Sequence, residues 1–498
     1  MSEPRTPLQR LGAFAGDGAR PSLWAAGALT VCGIVAARTR YFTDDGAFFF
    51  RYAEHLAAGQ GFRWNLSEPP IWGASAPLWP LLLAVAVRCG AAVEPAAVAF
   101  GYGLTIGAVT LLAWSAGRLA GTIEALAFGV LAAADFKLCF WATQGMEAPL
   151  AYLLLAACVA CLTRGASWPV TGLIAGVCLI HKLDLAPAGV LLLVGRWLQT
   201  RRPPWRAALL ATAVGGAWYA FAAWYFGSPL PNSLLTKLHA GVSVPRHWFF
   251  WVALADGSRK GLLLLALVGA TALWKHRGVA VFCWGFVLVN VAAYALKPPP
   301  EPFEWYLAPV QPVLCLAAAL GAGVLVRAGL GRLRLTSPSG RWATAVCALT
   351  LMGGLAVWSE RHVARDRKTA IDTVERDRTE AGRWVAAHTP PTARVLTSFG
   401  NPAYYSRRYV YDGSYLNRRR PARPEDLILL HRPEVIVDCP YRTGKPPDEV
   451  PVPQGYRTAA VFDAARRAGI DFHARVLIRE DAAFAQPSAD RTSGRAPP

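Results

Sequence analysis

Long apolar runs separated by short polar stretches dominate the chain from residue 22 to residue 359. Runs near or above the ~20 residues that a helix needs to cross a bilayer read as membrane spans. They fall at roughly 22–37, 95–117, 121–138, 147–163, 167–182, 184–197, 206–227, 259–274, 278–296, 305–326 and 342–359, eleven in all. The segment "PLWPLLLAVAVRC", residues 77–89, is apolar but too short for an ordinary crossing and is interrupted by Pro80, so a juxtamembrane or re-entrant piece is expected there. Beyond 359 the pattern changes. A helical stretch, "TAIDTVERDRTEAGRWVAAH", leads into the short β-like runs "ARVLTS", "RYVYDG", "EVIVDC" and "HARVLI", which predict a small α/β domain. The residues after about 484 are polar and contain proline, as a disordered tail does.

The expected fold is therefore mostly α: a polytopic transmembrane helical bundle of about eleven spans with a C-terminal extracytoplasmic α/β domain. Its parts are a cytoplasmic N-terminal tail, 1–21; a transmembrane domain, 22–359, with outer loops 38–94 and 228–258; the outer domain, 360–483; and the tail, 484–498. The first run also resembles a secretory signal, but no small-residue cleavage site follows it before Arg38, so it reads as an uncleaved anchor.

Charge supports this threading. Lys and Arg number 51 against 32 Asp and Glu, a formal charge of +19, in a chain that is 54% hydrophobic. With the N-terminus inside, Arg118, Arg164, the cluster Arg196, Arg201, Arg202 and Arg206, then Lys275 and Arg277, and finally Arg327, Arg332, Arg334 and Arg341 all fall in short cytoplasmic loops. That is the positive-inside bias of a multi-pass membrane protein, and it sets the C-terminal domain outside. Counting 77–89 as a span would invert it. Much of the net charge is thus a topology signal, and with no basic and aromatic binding motif a nucleic-acid partner is not expected. Nearly all of the ten cysteines lie in apolar segments, where Cys158 and Cys161 read as packed small residues rather than a redox or zinc pair.

Under this threading, polar residues from five segments converge on one face. "DDGAFFFRYAEHLAAGQG" puts Asp44 and Asp45 directly after the first span and predicts a helix ended by Gly59 and Gly61, with Phe48, Phe49, Tyr52 and Leu56 on one side and Arg51, Glu54 and His55 on the other. An N-cap role explains one of two adjacent aspartates better than both. "WATQGMEAP" contributes Glu147; "HKLDLAP" contributes His181, Lys182 and Asp184. The second outer loop contributes Asn232, Lys237 and His239, and "PPPEPFEWYLAP" contributes Glu304, Trp305 and Tyr306. Each group alone has a structural explanation, such as mutual neutralisation, an aromatic belt or snorkelling. Their convergence marks a site, since ionisable groups at membrane depth are costly.

The ordered set "DDGAFFFRYAEHLAAGQGFRWN", "SAPLW", "GMEAPL", "YFGSPLPNSLLTK" and "WYLAP" resembles the GT-C superfamily of polytopic glycosyltransferases, and is most similar to bacterial members that use polyprenyl-phosphate sugars, including arabinofuranosyltransferases. "GRWVAAHTPPTARVLTSFGNPAYYSRRYVYD" resembles the outer domain of that group. Two stretches depart from the pattern: "SEPPIWGASAPLW" replaces a Gly-Glu turn, and "HKLDLAP" an Arg-Pro-acid motif. The resemblance implies transfer of a hexosyl or pentosyl group from a polyprenyl-phosphate donor to a cell-envelope glycan or glycolipid acceptor, with inversion. By the same resemblance Asp44 is the general base, and Asp45 orients it or binds sugar or acceptor hydroxyls. Glu147 binds acceptor or sugar, Lys237 with His239 or Lys182 binds the donor phosphate, and Trp305 and Tyr306 pack on the prenyl chain or sugar. Arg51, Asp184 and Asn232 complete the expected substrate-binding set. Magnesium or manganese is a candidate cofactor on the oxygens of Asp44, Asp45 and Glu147, and the metal stays unassigned. A lipid-linked glycan transporter and a non-catalytic envelope scaffold are the alternatives, although the chain lacks the internal symmetry common in transporters.

Overall fold

The computed structural model describes residues 20–239, 259–297, 304–333, 337–414, 416–418, 423–440, 443–482 and 484. The helices are α1 Arg20–Ala37, α2 Asp44–Ala57, α3 Leu78–Arg88, α4 Val93–Leu119, α5 Thr122–Ala134, α6 Phe136–Trp141, α7 Ala148–Arg164, α8 Trp168–His181, α9 Ala186–Thr200, α10 Trp205–Phe226, α11 Asn232–His239, α12 Arg259–Leu273, α13 Arg277–Leu296, α14 Val310–Arg332 and α15 Pro338–His388. In the C-terminal region β1 Arg394–Thr397, α16 Gly400–Tyr405, β2 Tyr409–Asp412, α17 Pro424–His431, β3 Val435–Asp438, β4 Tyr456–Phe462, α18 Ala464–Arg467 and β5 Ala474–Arg479 follow. Each of the eleven expected spans contains a helix, the third being divided between α5 and α6. Five of these, α4, α10, α13, α14 and α15, are individually long and apolar enough to cross a membrane.

The apolar stretch of α14 is two-thirds buried in the bundle, whereas α1, α10, α12, α13 and α15 expose Trp24, Leu209, Trp224, Leu264, Leu288 and Leu351. An exposed apolar girdle of this kind is the surface a lipid solvent covers. The third expected span is not continuous: α5 stops at Ala134, and Asp135, in extended conformation, turns its carboxylate to accept from Leu138 N at 2.8 Å and so caps α6. Glu360 of α15 accepts from Phe136 N at 2.8 Å, which satisfies a second amide freed by the break.

The last span does not end where the outer domain begins. α15 is one helix of 51 residues, about 77 Å at 1.5 Å per residue, running from the bundle into the C-terminal domain without a break. There Ala381 and Val385 pack with the sheet core of Val395, Val410, Val435, Val437 and Val476. The sheet has the order β2-β1-β3-β5-β4, with β1 parallel to β2 and β3, and β5 antiparallel to β3 and β4. The four β-like runs of the sequence form β1, β2, β3 and β5. The edge strand β4, "YRTAAVF", has only a weak alternation and was not among them.

The C-terminal domain and the bundle share a core. Phe48, Phe49, Phe50 and Tyr52 of α2 are buried in the same cluster as Trp64, Trp72, Trp79 and the sheet valines, so the aromatic face of α2 lies in protein rather than in lipid. The short α3 is held to the same cluster by Trp79, whose indole Nε1 donates to Gly145 O at 2.8 Å.

Candidate active site

The site begins where α2 does. A Cβ at Gly46 would collide with Gln144 O, so only glycine lets the first turn of α2 lie on the turn between α6 and α7. Asp45 and Glu147 line one cleft beside that contact. Lys182 stands at the end of α8, where the chain turns through a short 3-10 segment, Leu183–Leu185, and its Nζ lies 2.8 Å from Glu147 Oε1 and 3.3 Å from Asp184 Oδ2. The Tyr294 hydroxyl of α13 donates to Asp184 Oδ2 at 3.0 Å, and Tyr294 stacks on Tyr306 with ring centroids 5.0 Å apart. The ammonium is 5.3 Å from the Tyr306 ring centroid. One cation is thus held by two carboxylates and an aromatic face, nearly out of water.

Two cavities meet at this lysine. A narrow cleft of about 50 Å³ is lined by Asp45, Glu147, Lys182 and Asn417 together with Phe48, Phe49, Trp305 and Tyr306 among others. A larger cavity of about 300 Å³, largely apolar, is lined by Pro187, Leu234, Val289, Ala293 and Tyr294 with Lys182 and Asp184. Ser75, Lys182, Ser233 and Tyr306 belong to both. The arrangement joins a carboxylate-bearing cleft to an apolar chamber at a lysine paired with two carboxylates.

The sequence-expected residues divide. Asp45, Glu147, Lys182, Asp184, Trp305 and Tyr306 come together. Asp44 is directed the other way: its Oδ1 accepts from Asn401 N at 3.0 Å, at the start of α16. Adjacent residues on a helix project about 100° apart, so the two aspartates of one turn serve different neighbours. Arg51 does not line this cleft either. Its Nε donates to Trp64 O at 2.7 Å, Nη1 to Ala403 O at 2.9 Å, and Nη2 to Asn65 Oδ1 at 3.0 Å and Arg408 O at 2.9 Å, with the guanidinium 4.7 Å from the Trp64 ring centroid. It joins α2, the first outer loop and the outer domain. Asn232 donates both amide hydrogens to backbone, Leu416 O at 2.8 Å and Arg418 O at 2.7 Å. The side chains of Lys237 and His239, at the end of α11, lie outside the described residues. Sequence reasoning missed Leu416 and Asn417, which line the cleft from the outer domain; nothing in "YDGSYLN" signals a role in a site more than 360 residues away from Asp45.

Arg51→Lys is expected to keep the charge but leave several of these buried acceptors unpaired, costing about 1–3 kcal/mol for each orphaned group. The measurement is thermal unfolding in detergent, where a clear fall in Tm is expected.

Behind Asp44 lies a second carboxylate. Glu375 of α15 accepts from Arg378 at 2.9 Å and from Asn401 Nδ2 at 2.9 Å, and Asn401 Nδ2 also donates to Phe42 O at 3.1 Å. Burial pushes the Glu375 carboxyl up to about 7, with Arg378 opposing and Asp44 adding to the rise. Burial likewise raises Asp44, against Arg378 and the amides of Asn401 and Gly400. For an acid whose pKa is higher folded than unfolded, the folded state holds the extra proton between the two values, so stability falls as pH rises from about 4.5 to about 7. Glu375→Gln is expected to flatten that part of the curve, as read by Tm against pH. Among the described residues no three His, Cys, Asp or Glu side chains converge to hold a metal ion, and Asp44 stands apart from Asp45 and Glu147.

Fold and site together define a polytopic membrane protein with a charged cleft roofed by its C-terminal domain. No protein-family model and no curated protein matches the sequence. Among solved structures the chain is similar to ArnT from Cupriavidus metallidurans in the apo state, with a TM-score of 0.61 at 13% identity over 95% of this chain and 100% of that one. It is equally similar to ArnT from the same organism bound to undecaprenyl phosphate, with a TM-score of 0.61 at 14% identity and the same coverage. At such identity the likeness establishes the fold, which is of the GT-C type that the sequence motifs resemble.

Proposed function

We propose that this protein is a membrane glycosyltransferase that moves a hexosyl or pentosyl group from a polyprenyl-phosphate donor to a hydroxyl of a cell-envelope glycan or glycolipid. One observation carries the reading: Lys182 stands where the cleft of Asp45 and Glu147 opens into an apolar cavity of about 300 Å³. A donor with a charged phosphate between a sugar and a lipid has the same order of chemistry. Its phosphate sits at Lys182, its prenyl chain runs along Val289, Ala293 and Tyr294, and its sugar faces Asp45. The bound lipid of the structurally similar ArnT, undecaprenyl phosphate, is of this class.

The acceptor oxygen attacks the anomeric carbon from the Asp45 side, and the carboxylate takes its proton as the bond forms. The bond from that carbon to the phosphate oxygen breaks, and its electron pair leaves with the phosphate, where the Lys182 charge stabilises it. Attack opposite the leaving group inverts the centre. The base role expected for Asp44 passes to Asp45, because Asp45 lines the cleft while Asp44 bonds to α16. The arginine-rich loops support a reading with the N-terminus in the cytoplasm and the cleft at the outer face of a bacterial inner membrane.

The test is incubation of the full chain in nanodiscs with a panel of polyprenyl-phosphate sugars, scoring polyprenyl phosphate release by mass spectrometry. Release from one donor is expected. A folded protein that consumes none, with or without envelope glycan and divalent metal, would move the transporter and scaffold readings ahead.

A further inference from the structure

The narrow cleft at Asp45 is walled on one side by a turn of the outer domain. Asp412, at the end of β2, organises this turn: its Oδ1 accepts from Ser414 N at 2.8 Å, and its Oδ2 accepts from Asn417 N at 2.7 Å and Asn417 Nδ2 at 2.9 Å. The turn presents Leu416 and Asn417 to the cleft. It is fastened to the bundle from two directions. The Tyr52 hydroxyl of α2 donates to Asn417 Oδ1 at 2.7 Å, and Asn232 at the start of α11 donates to Leu416 O and Arg418 O. Asn232 is itself fixed, since its backbone N–H donates to Trp72 O at 2.8 Å. The fit leaves no slack: a Cβ at Gly73, next to Trp72, would collide with Asn417 Oδ1 and crowd the Tyr52 hydroxyl.

The residues that follow Asn232 serve the other cavity. Ser233 and Leu234 line the apolar chamber, and Ser233 reaches the cleft as well. Asn232 therefore ties the wall of the acceptor side to the helix that lines the donor side. A cleft of about 50 Å³ admits only a few waters, so the position of this wall decides what reaches the anomeric carbon.

We propose that Asn232 is a positioning residue which holds the Leu416–Arg418 turn in register with the donor-lining helix α11, so that occupation of the donor cavity orders the acceptor wall and keeps water from replacing the acceptor. The proposal rests on the glycosyltransferase reading. When the turn is released, a water oxygen forms the bond to the anomeric carbon, the carbon–phosphate-oxygen bond breaks with its electrons leaving on the phosphate, and the water proton passes to Asp45. The products are free sugar and polyprenyl phosphate.

Two arms test this with the full chain in nanodiscs. In the first, which needs no turnover, hydrogen–deuterium exchange of the peptide covering residues 409–418 is followed with and without undecaprenyl phosphate. At least twofold slower exchange on adding the lipid is expected in the wild type and not in Asn232→Asp, which keeps the shape but donates neither hydrogen bond. An unchanged wild-type peptide, or equal protection in both proteins, overturns the inference. In the second arm, with the donor found active, Asn232→Asp is expected to raise the ratio of hydrolysis to transfer at least tenfold and to raise the acceptor KM, with the donor KM within about twofold of wild type. Tyr52→Phe severs the other fastening and is expected to raise the same ratio, which keeps the test open if Asn232→Asp does not fold. A ratio unchanged in the variants that fold overturns the inference while leaving glycosyl transfer intact. Absence of any donor turnover overturns the functional reading instead, and the exchange arm still decides whether lipid orders the turn through Asn232.

Discussion

Asp45→Asn is expected to reduce sugar transfer by roughly 10²–10⁴-fold, the usual contribution of a positioned general base, while leaving membrane insertion and Tm near wild type. The side chain keeps its size, and what it loses is the capacity to take a proton from the acceptor hydroxyl. Asp44→Asn is expected to cost far less, because an asparagine oxygen still accepts from Asn401 N and so preserves the contact that Asp44 makes. The comparison is read from single-turnover rates with the active donor. Equal losses in both variants would mean that the turn acts as a unit, and a severe loss confined to Asp44→Asn would return the base role to Asp44.

Lys182→Met carries the second large effect. Its ammonium is the cation between Glu147 and Asp184, at 2.8 and 3.3 Å, and all three side chains are largely removed from water. Deleting one partner of a buried ion pair leaves the other charge uncompensated, at a cost of about 3–5 kcal/mol. Here two carboxylates are left facing each other. The variant is expected to unfold at a markedly lower temperature and to show little donor binding. Lys182→Arg restores the charge without the compact geometry of an ammonium, so Tm is expected to recover more than donor KM does. Tm by intrinsic fluorescence and KM from donor titration separate the two effects. A wild-type Tm together with a wild-type donor KM in Lys182→Met would remove the lysine from the account.

The sequence was legible where long-range packing does not matter. Apolar run length located a helix in each of the eleven expected spans, five of them long and apolar enough to cross a membrane. Alternation located β1, β2, β3 and β5, and the clustering of Glu147, Lys182, Asp184, Trp305 and Tyr306 followed from threading alone. What remained hidden depends on contacts between distant parts of the chain. Nothing local distinguishes Asp44 from Asp45; the distinction is made by Asn401, which offers its amide to one of them. Arg51 looks like a substrate ligand until the carbonyls of Trp64, Ala403 and Arg408 surround it. Asn232 likewise reads as a substrate ligand, and the carbonyls that it bonds lie 184 and 186 residues away. The arginines of the outer domain follow the same rule. Arg407 pairs with Glu54 of α2 and bonds to Tyr404, while Arg408 donates to Ala386 O and Thr389 O at the end of α15.

The central claim is the placement of a lipid phosphate at Lys182, and the direct measurement is an electron cryomicroscopy map of the full chain in nanodiscs saturated with undecaprenyl phosphate. The phosphate is expected within hydrogen-bonding distance of Lys182 Nζ, with the prenyl chain leaving along Val289, Ala293 and Tyr294. A phosphate bound elsewhere, with the cavity at Lys182 empty of lipid, would contradict the account.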